Sequence, residues 1–312
     1  MFAEDLLRDL RRDRYAPAAI ATYVRRIGGR VVARLPRNVE LVRSVAATGL
    51  ILFAIQFGAA LLLSWAFGRR IGVPYLISSS VVLLLVSFWI LTHIGLMHGS
   101  RDEQPMRRIP FPVAITMLRL VSVPAIVLLI LAGVWPVVVW LYVASASTDV
   151  IDGVMARAFR SESRIGSVLD PLVDIAFNSS VFVALSLARE LPWWVSGLML
   201  GRYALLVLGT FYLYVFRGPV RIQPTAFGKL TGVLTTLLLG LLLLGLASWS
   251  EATRGRLKEV FDVGLGVLAF ATIIQVIFIG LANKKALERD PAAEEPAARA
   301  GKIVGDVRWP RG

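Results

Sequence analysis

Apolar runs of about twenty residues recur along this chain, near residues 46–67, 74–97, 111–133, 135–156, 166–188, 193–216, 228–249 and 260–282. A helix needs about that length to cross a bilayer, and a backbone in hydrocarbon must satisfy its own hydrogen bonds. The expected fold is therefore an all-α polytopic membrane protein. Of the 312 residues 56% are apolar, yet the formal charge is +13, so the excess Lys and Arg must sit in termini and loops. In a soluble protein that balance would point to nucleic acid. Here the positive-inside bias and anionic membrane lipids account for it, and no nucleic-acid partner is expected. The chain has no cysteine, which excludes disulfides and thiolate metal sites.

Residues 1–44 alternate short apolar pairs with arginines, as suits helices lying on the inner membrane surface, although a solvated basic tail has the same composition. They show no apolar core behind a basic start, so no cleavable signal peptide is expected. Two spans occupy 45–100 and six occupy 109–283, with the charged stretch "RDEQPMRRIP" between them; residues 284–312, rich in Ala, Pro and charge, read as a disordered tail. Short-loop arginines favour both termini in the cytoplasm, as in a bacterial-type inner membrane.

One segment departs from the apolar background: "DVIDGVMARAFRSESRIGSVLDPLVD", Asp149 to Asp174. Asp149 and Asp152 are three apart, and Asp170 and Asp174 four apart, so on helices each pair shares a face. The turn between the segments is short and polar, so the helices should be antiparallel neighbours with these faces meeting. Four carboxylates gathered there repel one another unless protonated or neutralised by cations. Oxygen ligands without His or Cys suit two Mg²⁺ or Mn²⁺ ions. Gly153 and Gly166 offer close approach to a ligand, Ala156 keeps the face shallow, and Arg157 can meet a phosphate oxygen. The alternative is that the glycines serve helix packing and the aspartates cap helix ends, but intramembrane acids usually mark function.

The pattern Asp149-x2-Asp152-Gly153-x2-Ala156-Arg157-x8-Gly166-x3-Asp170-x3-Asp174 resembles the signature of the CDP-alcohol phosphatidyltransferase family at every fixed residue and spacing. The resemblance covers residues 109–283. It implies a six-helix core, here preceded by two extra N-terminal transmembrane helices. It also implies that Asp149, Asp152, Asp170 and Asp174 hold the metal pair, that Asp174 is the general base, and that Gly153, Ala156, Arg157 and Gly166 belong to the CDP site. The implied reaction transfers a phosphatidyl group from CDP-diacylglycerol to a hydroxyl with release of CMP, and the fold implies a homodimer.

The segment "IPFPVAITMLRLVSVP" is similar to the first core span of phosphatidylglycerophosphate and cardiolipin synthases of this family through Pro112, Thr116, Arg119 and Pro124, with Val113 in place of Asn. Farther on, Arg202, Gly228 and Lys229 match, while Tyr203, Thr231 and Gly232 stand where Glu, Lys and Thr occur. This favours glycerol 3-phosphate or phosphatidylglycerol as acceptor, with Arg119, Arg202, Arg217, Arg221 and Lys229 as candidate ligands of the acceptor phosphate. For Arg119 snorkelling to the headgroups is the competing reading, and for Arg217 and Arg221 an ordinary positive-inside loop. Arg202 should point into the bundle, because a buried cation needs a partner. His93 and His98 do not share a helix face and read as interfacial packing. Trp193 and Trp194 read as an outer-leaflet belt, and "GLLLLGLASW" as a small-residue face that could serve a dimer. Inositol phosphate, serine or an aminoalcohol are alternative acceptors. A cation transporter or a non-catalytic scaffold are the rivals from other classes.

Overall fold

The computed structural model describes residues 6, 9–10, 12–98, 106–158, 163–212, 215–216 and 226–289, with the backbone alone at 37, 149–158, 226–227, 229, 251–252, 256, 279 and 282–289. The remaining tail residues, 290–312, lie outside these. Among the described residues the regular structure is helical. A basic helix α1 (Pro17–Arg34) leads through a 3₁₀ turn (Pro36–Asn38) into α2 (Val39–Phe67), followed by α3 (Arg69–Thr92). Then come α4 (Phe111–Leu131), α5 (Trp135–Ala158), α6 (Arg164–Leu187), α7 (Trp193–Tyr212), α8 (Ala226–Ser248) and α9 (Glu251–Arg289).

Among the described residues seven helices, α2 to α4 and α6 to α9, are long and apolar enough to cross a bilayer. The described apolar part of α5 is Trp135–Thr148, and its backbone continues as helix through the aspartate segment to Ala158. The chain is an integral membrane protein of helical spans. Three expected boundaries shift. The second span starts at Arg69, because Gly68 at φ +87° makes the turn and Pro74 is taken up inside the helix. It ends at Thr92, and Ile94–Leu96 form a 3₁₀ turn. The last helix runs on to Arg289, past the expected end of the span.

The accessory hairpin and the six-helix part are packed as one body. Leu41 and Val45 of α2 and Leu83, Val86 and Ile90 of α3 are buried in one cluster with Met117 and Val121 of α4 and Ile165, Leu169 and Val173 of α6. Near the same end Ser44 Oγ accepts the Ile109 N–H at 3.0 Å, which fixes the entry into α4 against α2. At the other end Leu129, Ile130, Val138, Phe182, Leu185, Met199, Leu243 and Leu265 form a second core. Helix α4 is the common neighbour of α3, α5 and α6. Helices α5 and α6, expected as close neighbours, meet through long side chains, the rings of Tyr142 and Phe177 being 5.8 Å apart, and each packs more closely on α4.

Gly72 sets how tightly the α2–α3 hairpin closes: a Cβ there would run into Ser64 Oγ and the Ala60 carbonyl. Gly72→Ala should therefore destabilise the protein by about 1–3 kcal/mol, the usual cost of overpacking. Thermal unfolding in detergent checks this, and an unchanged Tm would show that the hairpin is looser than described.

Candidate active site

Helix α6 places two of the four aspartates. Its start is pinned twice: Ser163 caps it by accepting the Gly166 N–H at 3.1 Å, and the Arg164 N–H donates to the His98 carbonyl at 3.1 Å. The cap satisfies an N–H that would otherwise have no partner in the first turn. From that fixed start Asp170 and Asp174 follow four apart, on one face in the second and third turns.

Helix α4 meets this face with Thr116 and Arg119, three apart. The Thr116 hydroxyl lies 2.9 Å from Asp170 Oδ1 and 3.0 Å from the Pro112 carbonyl. The Arg119 guanidinium lies 2.8 Å from Asp174 Oδ1. The Arg119 side chain is only 4% exposed whereas that of Asp174 is 47% exposed, so the pair has a buried cation and an accessible anion. Arg119 therefore does not snorkel: removing a guanidinium from water is costly, and the carboxylate across the interface offsets that cost. Asn178 donates to the Asp174 main-chain carbonyl at 2.9 Å, one turn on.

Gly166 closes the near side. A Cβ on it would lie 3.0 Å from Ser163 Oγ, 3.5 Å from Val113 Cγ2 and 3.9 Å from Asp170 Oδ2. Val113 thus fills the position beside Gly166 with a buried apolar contact. From α7, Tyr203 stands within electrostatic reach of both Arg202 and Asp174, and the Arg202 guanidinium lies over the Tyr203 ring at 5.2 Å. Arg202 is half-buried, and its Nε is buried without a hydrogen-bond partner among the described residues.

Asp149, Asp152, Gly153, Ala156 and Arg157 all fall on the unbroken helix α5, so Asp149 and Asp152 share a face; their side chains lie outside the described residues. Lys229 falls in the first turn of α8, its side chain likewise outside. Arg217 and Arg221 lie outside the described residues altogether. Among the described residues no group of three or more potential metal ligands comes together, since only two of the four aspartate side chains are among them.

A family profile settles the class: the CDP-alcohol phosphatidyltransferase profile matches residues 110–279, more than half of the chain. The chain belongs to the CDP-alcohol phosphatidyltransferase family. It is 37% identical over 94 residues, 28% of its length, to a "Probable phosphatidylglycerophosphate synthase" of Mycobacterium tuberculosis. Over 158 residues, 45% of its length, it is 30% identical to a cardiolipin synthase (CMP-forming) / mitochondrial hydrolase fusion protein of Schizosaccharomyces pombe. The chain spans 45% and 27% of those two relatives' own lengths. No solved structure matches it.

Members of this family use CDP-alcohols with lipid acceptors and are in general dependent on divalent metal ions. The donor set fits such an ion: Asp170 and Asp174 present hard oxygen donors on one face, each oriented by a contact from α4. The family match begins at α4, so α1 to α3 lie outside it.

Other expectations resolve within the chain. His93 stacks on Trp89 at 4.6 Å and its Nδ1 lies 2.9 Å from the Trp89 carbonyl, a packing role. Trp193 and Trp194 are 56% and 52% exposed, and Trp194 also covers Gly266 of α9. The small-residue face of α8 is occupied internally, Gly240 by Tyr142 and Gly245 by Trp249, so it lends no support to a dimer. The sequence reading gave no site role to Thr116, Ser163 or Asn178. Thr116 alone carried a signal, as a match in the first core span.

Thr116→Val keeps the shape of the side chain and removes the contact to Asp170. Loss of a contact that orients a metal ligand typically lowers metal affinity or activity about 10–100-fold, which is the drop expected here with the fold retained. Metal titration of the activity checks it; wild-type behaviour would show that Asp170 needs no support from α4.

Proposed function

We propose that this protein transfers a phosphatidyl group from CDP-diacylglycerol to the hydroxyl of glycerol 3-phosphate or phosphatidylglycerol, releasing CMP. The observation that carries the reading is the pair of carboxylates on α6, Asp170 and Asp174, held from α4 by Thr116 and Arg119 within the family's aspartate signature. The names of the relatives, phosphatidylglycerophosphate synthase and cardiolipin synthase, favour these two acceptors.

Asp149, Asp152, Asp170 and Asp174 would hold two Mg²⁺ or Mn²⁺ ions, which when bound stabilise charge on the phosphoryl group and on departing CMP. Gly153, Ala156, Arg157 and Gly166 bind the CDP moiety. Asp174 takes the proton from the acceptor hydroxyl as that oxygen attacks the phosphorus bearing the diacylglycerol. The phosphorus–oxygen bond to CMP breaks, and CMP leaves with the electron pair. Arg119 holds the Asp174 carboxylate in place for that transfer. Arg202, Arg217, Arg221 and Lys229 receive the acceptor's phosphate. The site opens to the cytoplasm, with both termini on that side, so CMP leaves into water while the lipid product stays in the bilayer. The working protein is a homodimer.

CMP release by purified protein with CDP-diacylglycerol and Mg²⁺ tests this, across glycerol 3-phosphate, phosphatidylglycerol, inositol phosphate and serine. Release should require glycerol 3-phosphate or phosphatidylglycerol and fall at least about 100-fold in Asp174→Asn, the scale of losing a general base. Release driven by inositol phosphate or serine would keep the chemistry and replace the acceptor. Undiminished release in the variant would remove Asp174 as the base.

A further inference from the structure

The segment before the first span lies outside the family match, yet it touches the six-helix part at one specific place. Arg14 and Tyr15 both adopt left-handed backbone, at φ 49° and 57°, a region that non-glycine residues rarely enter and seldom in succession. The turn they make directs Tyr15 at Val215 and Phe216, beyond the C-terminus of α7 at Tyr212. Its hydroxyl donates to the Val215 carbonyl at 2.6 Å and its ring lies 4.8 Å from that of Phe216, which in turn is 5.1 Å from Tyr212. Tyr15 thus grips the residues immediately before Arg217.

Helix α1, which follows, has no buried residue. Ile20, Val24, Ile27 and Val31 recur at helical spacing along one side, and Arg26 and Arg30 fall on the other. Ile20 and Val24 are exposed, and so are Arg25 and Arg26. Residues 12–34 hold six arginines against one aspartate. Only a short turn separates α1 from α2, which starts level with α4 through the Ser44–Ile109 hydrogen bond. The helix is therefore held at the membrane surface on the side of the aspartates. An apolar row exposed at Ile20 and Val24 and half-covered at Ile27 and Val31, flanked by arginines of which Arg26 pairs with Asp9 at 3.6 Å, is complementary at that level to a leaflet bearing anionic headgroups.

We propose that residues 12–34 are a lipid-bound strap: α1 lies on anionic phospholipid, and Tyr15 holds the chain just beyond α7 so that acceptor binding depends on that lipid. The link to the acceptor rests on the assignment of Arg217 and Arg221 to the acceptor phosphate made above. Tyr15 is a positioning residue in this scheme, since it touches the chain that leads to the binding arginines.

The test uses the full chain in phosphatidylcholine vesicles with or without phosphatidic acid. Because the protein lacks cysteine, Val24→Cys takes a single environment-sensitive dye. Its emission should shift to the blue when phosphatidic acid is added, and less so with Arg25, Arg26, Arg30 and Arg34 changed to Gln. A Tyr15→Cys, Phe216→Cys pair should cross-link with a short bifunctional maleimide. In Tyr15→Phe the KM for glycerol 3-phosphate should rise about fivefold, the loss of one hydrogen bond, while the KM for CDP-diacylglycerol and kcat stay the same. Phosphatidic acid should lower the acceptor KM of the wild type and not of Tyr15→Phe. No dye shift, no cross-link, or an equal rise in both KM values would overturn the strap. If the wild type releases no CMP with any acceptor, the function proposed above fails separately. Dye and cross-link then decide the strap alone: both positive uphold lipid binding and the grip beyond α7, and either negative overturns it.

Discussion

The contact between Arg119 and Asp174 is the constraint on which the rest of the site depends. A guanidinium almost wholly removed from solvent inside a bundle of apolar helices needs a carboxylate close by, and α6 supplies one at 2.8 Å. That requirement fixes the register of α4 against α6. Once Arg119 meets Asp174, the helical repeat brings Thr116, three residues earlier, to Asp170, four residues earlier on the partner. Two side chains of one helix thereby orient two carboxylates of the other. The cost of breaking the pair would be high, about 3–5 kcal/mol for a partner removed from a buried ion pair, reduced here because Asp174 is half exposed.

The surrounding packing protects that register. Met117 and Val121 of α4 and Leu169 and Val173 of α6 flank the polar contacts and are buried with Val86 and Ile90 of α3. The accessory hairpin is thus part of the wall behind the site. Ser163 and the Arg164–His98 backbone bond fix where α6 begins, and Ser44 with Ile109 fixes where α4 begins. Both helices that carry the polar contacts are held at their N-termini, within a few turns of the chemistry. Such support suits a site in which small misplacements of a ligand are costly.

Much of this was legible in the sequence. The apolar runs located the spans, since hydrocarbon leaves a backbone few choices, and the three- and four-residue spacings of the aspartates placed each pair on a helix face. The boundaries that moved did so for local reasons: Gly68 rather than Pro74 makes the turn between α2 and α3, and α9 continues as a charged helix beyond its apolar stretch. What could not be read was pairing. Arg119 had snorkelling as an equal explanation because a single helix does not reveal whether a carboxylate waits across the interface. Thr116 stood out only as a match in the first core span, with nothing to show its partner, and the closeness of Gly72 to Ala60 and of Tyr15 to Val215 depends on how helices cross. Between α5 and α6 the contact seen among the described residues is that of the Tyr142 and Phe177 rings, and both helices also pack on α4.

In the function proposed above, carboxylates from α5 and α6 hold one cation site organised from α4. The most direct measurement is Mn²⁺ binding to purified protein by electron paramagnetic resonance, for the wild type and for Asp152→Asn, Asp170→Asn and Arg119→Met. Saturable binding of about two ions per chain is expected, weakened by a change on either helix and by loss of Arg119. Binding that survives Asp152→Asn and Asp170→Asn unaltered would contradict it.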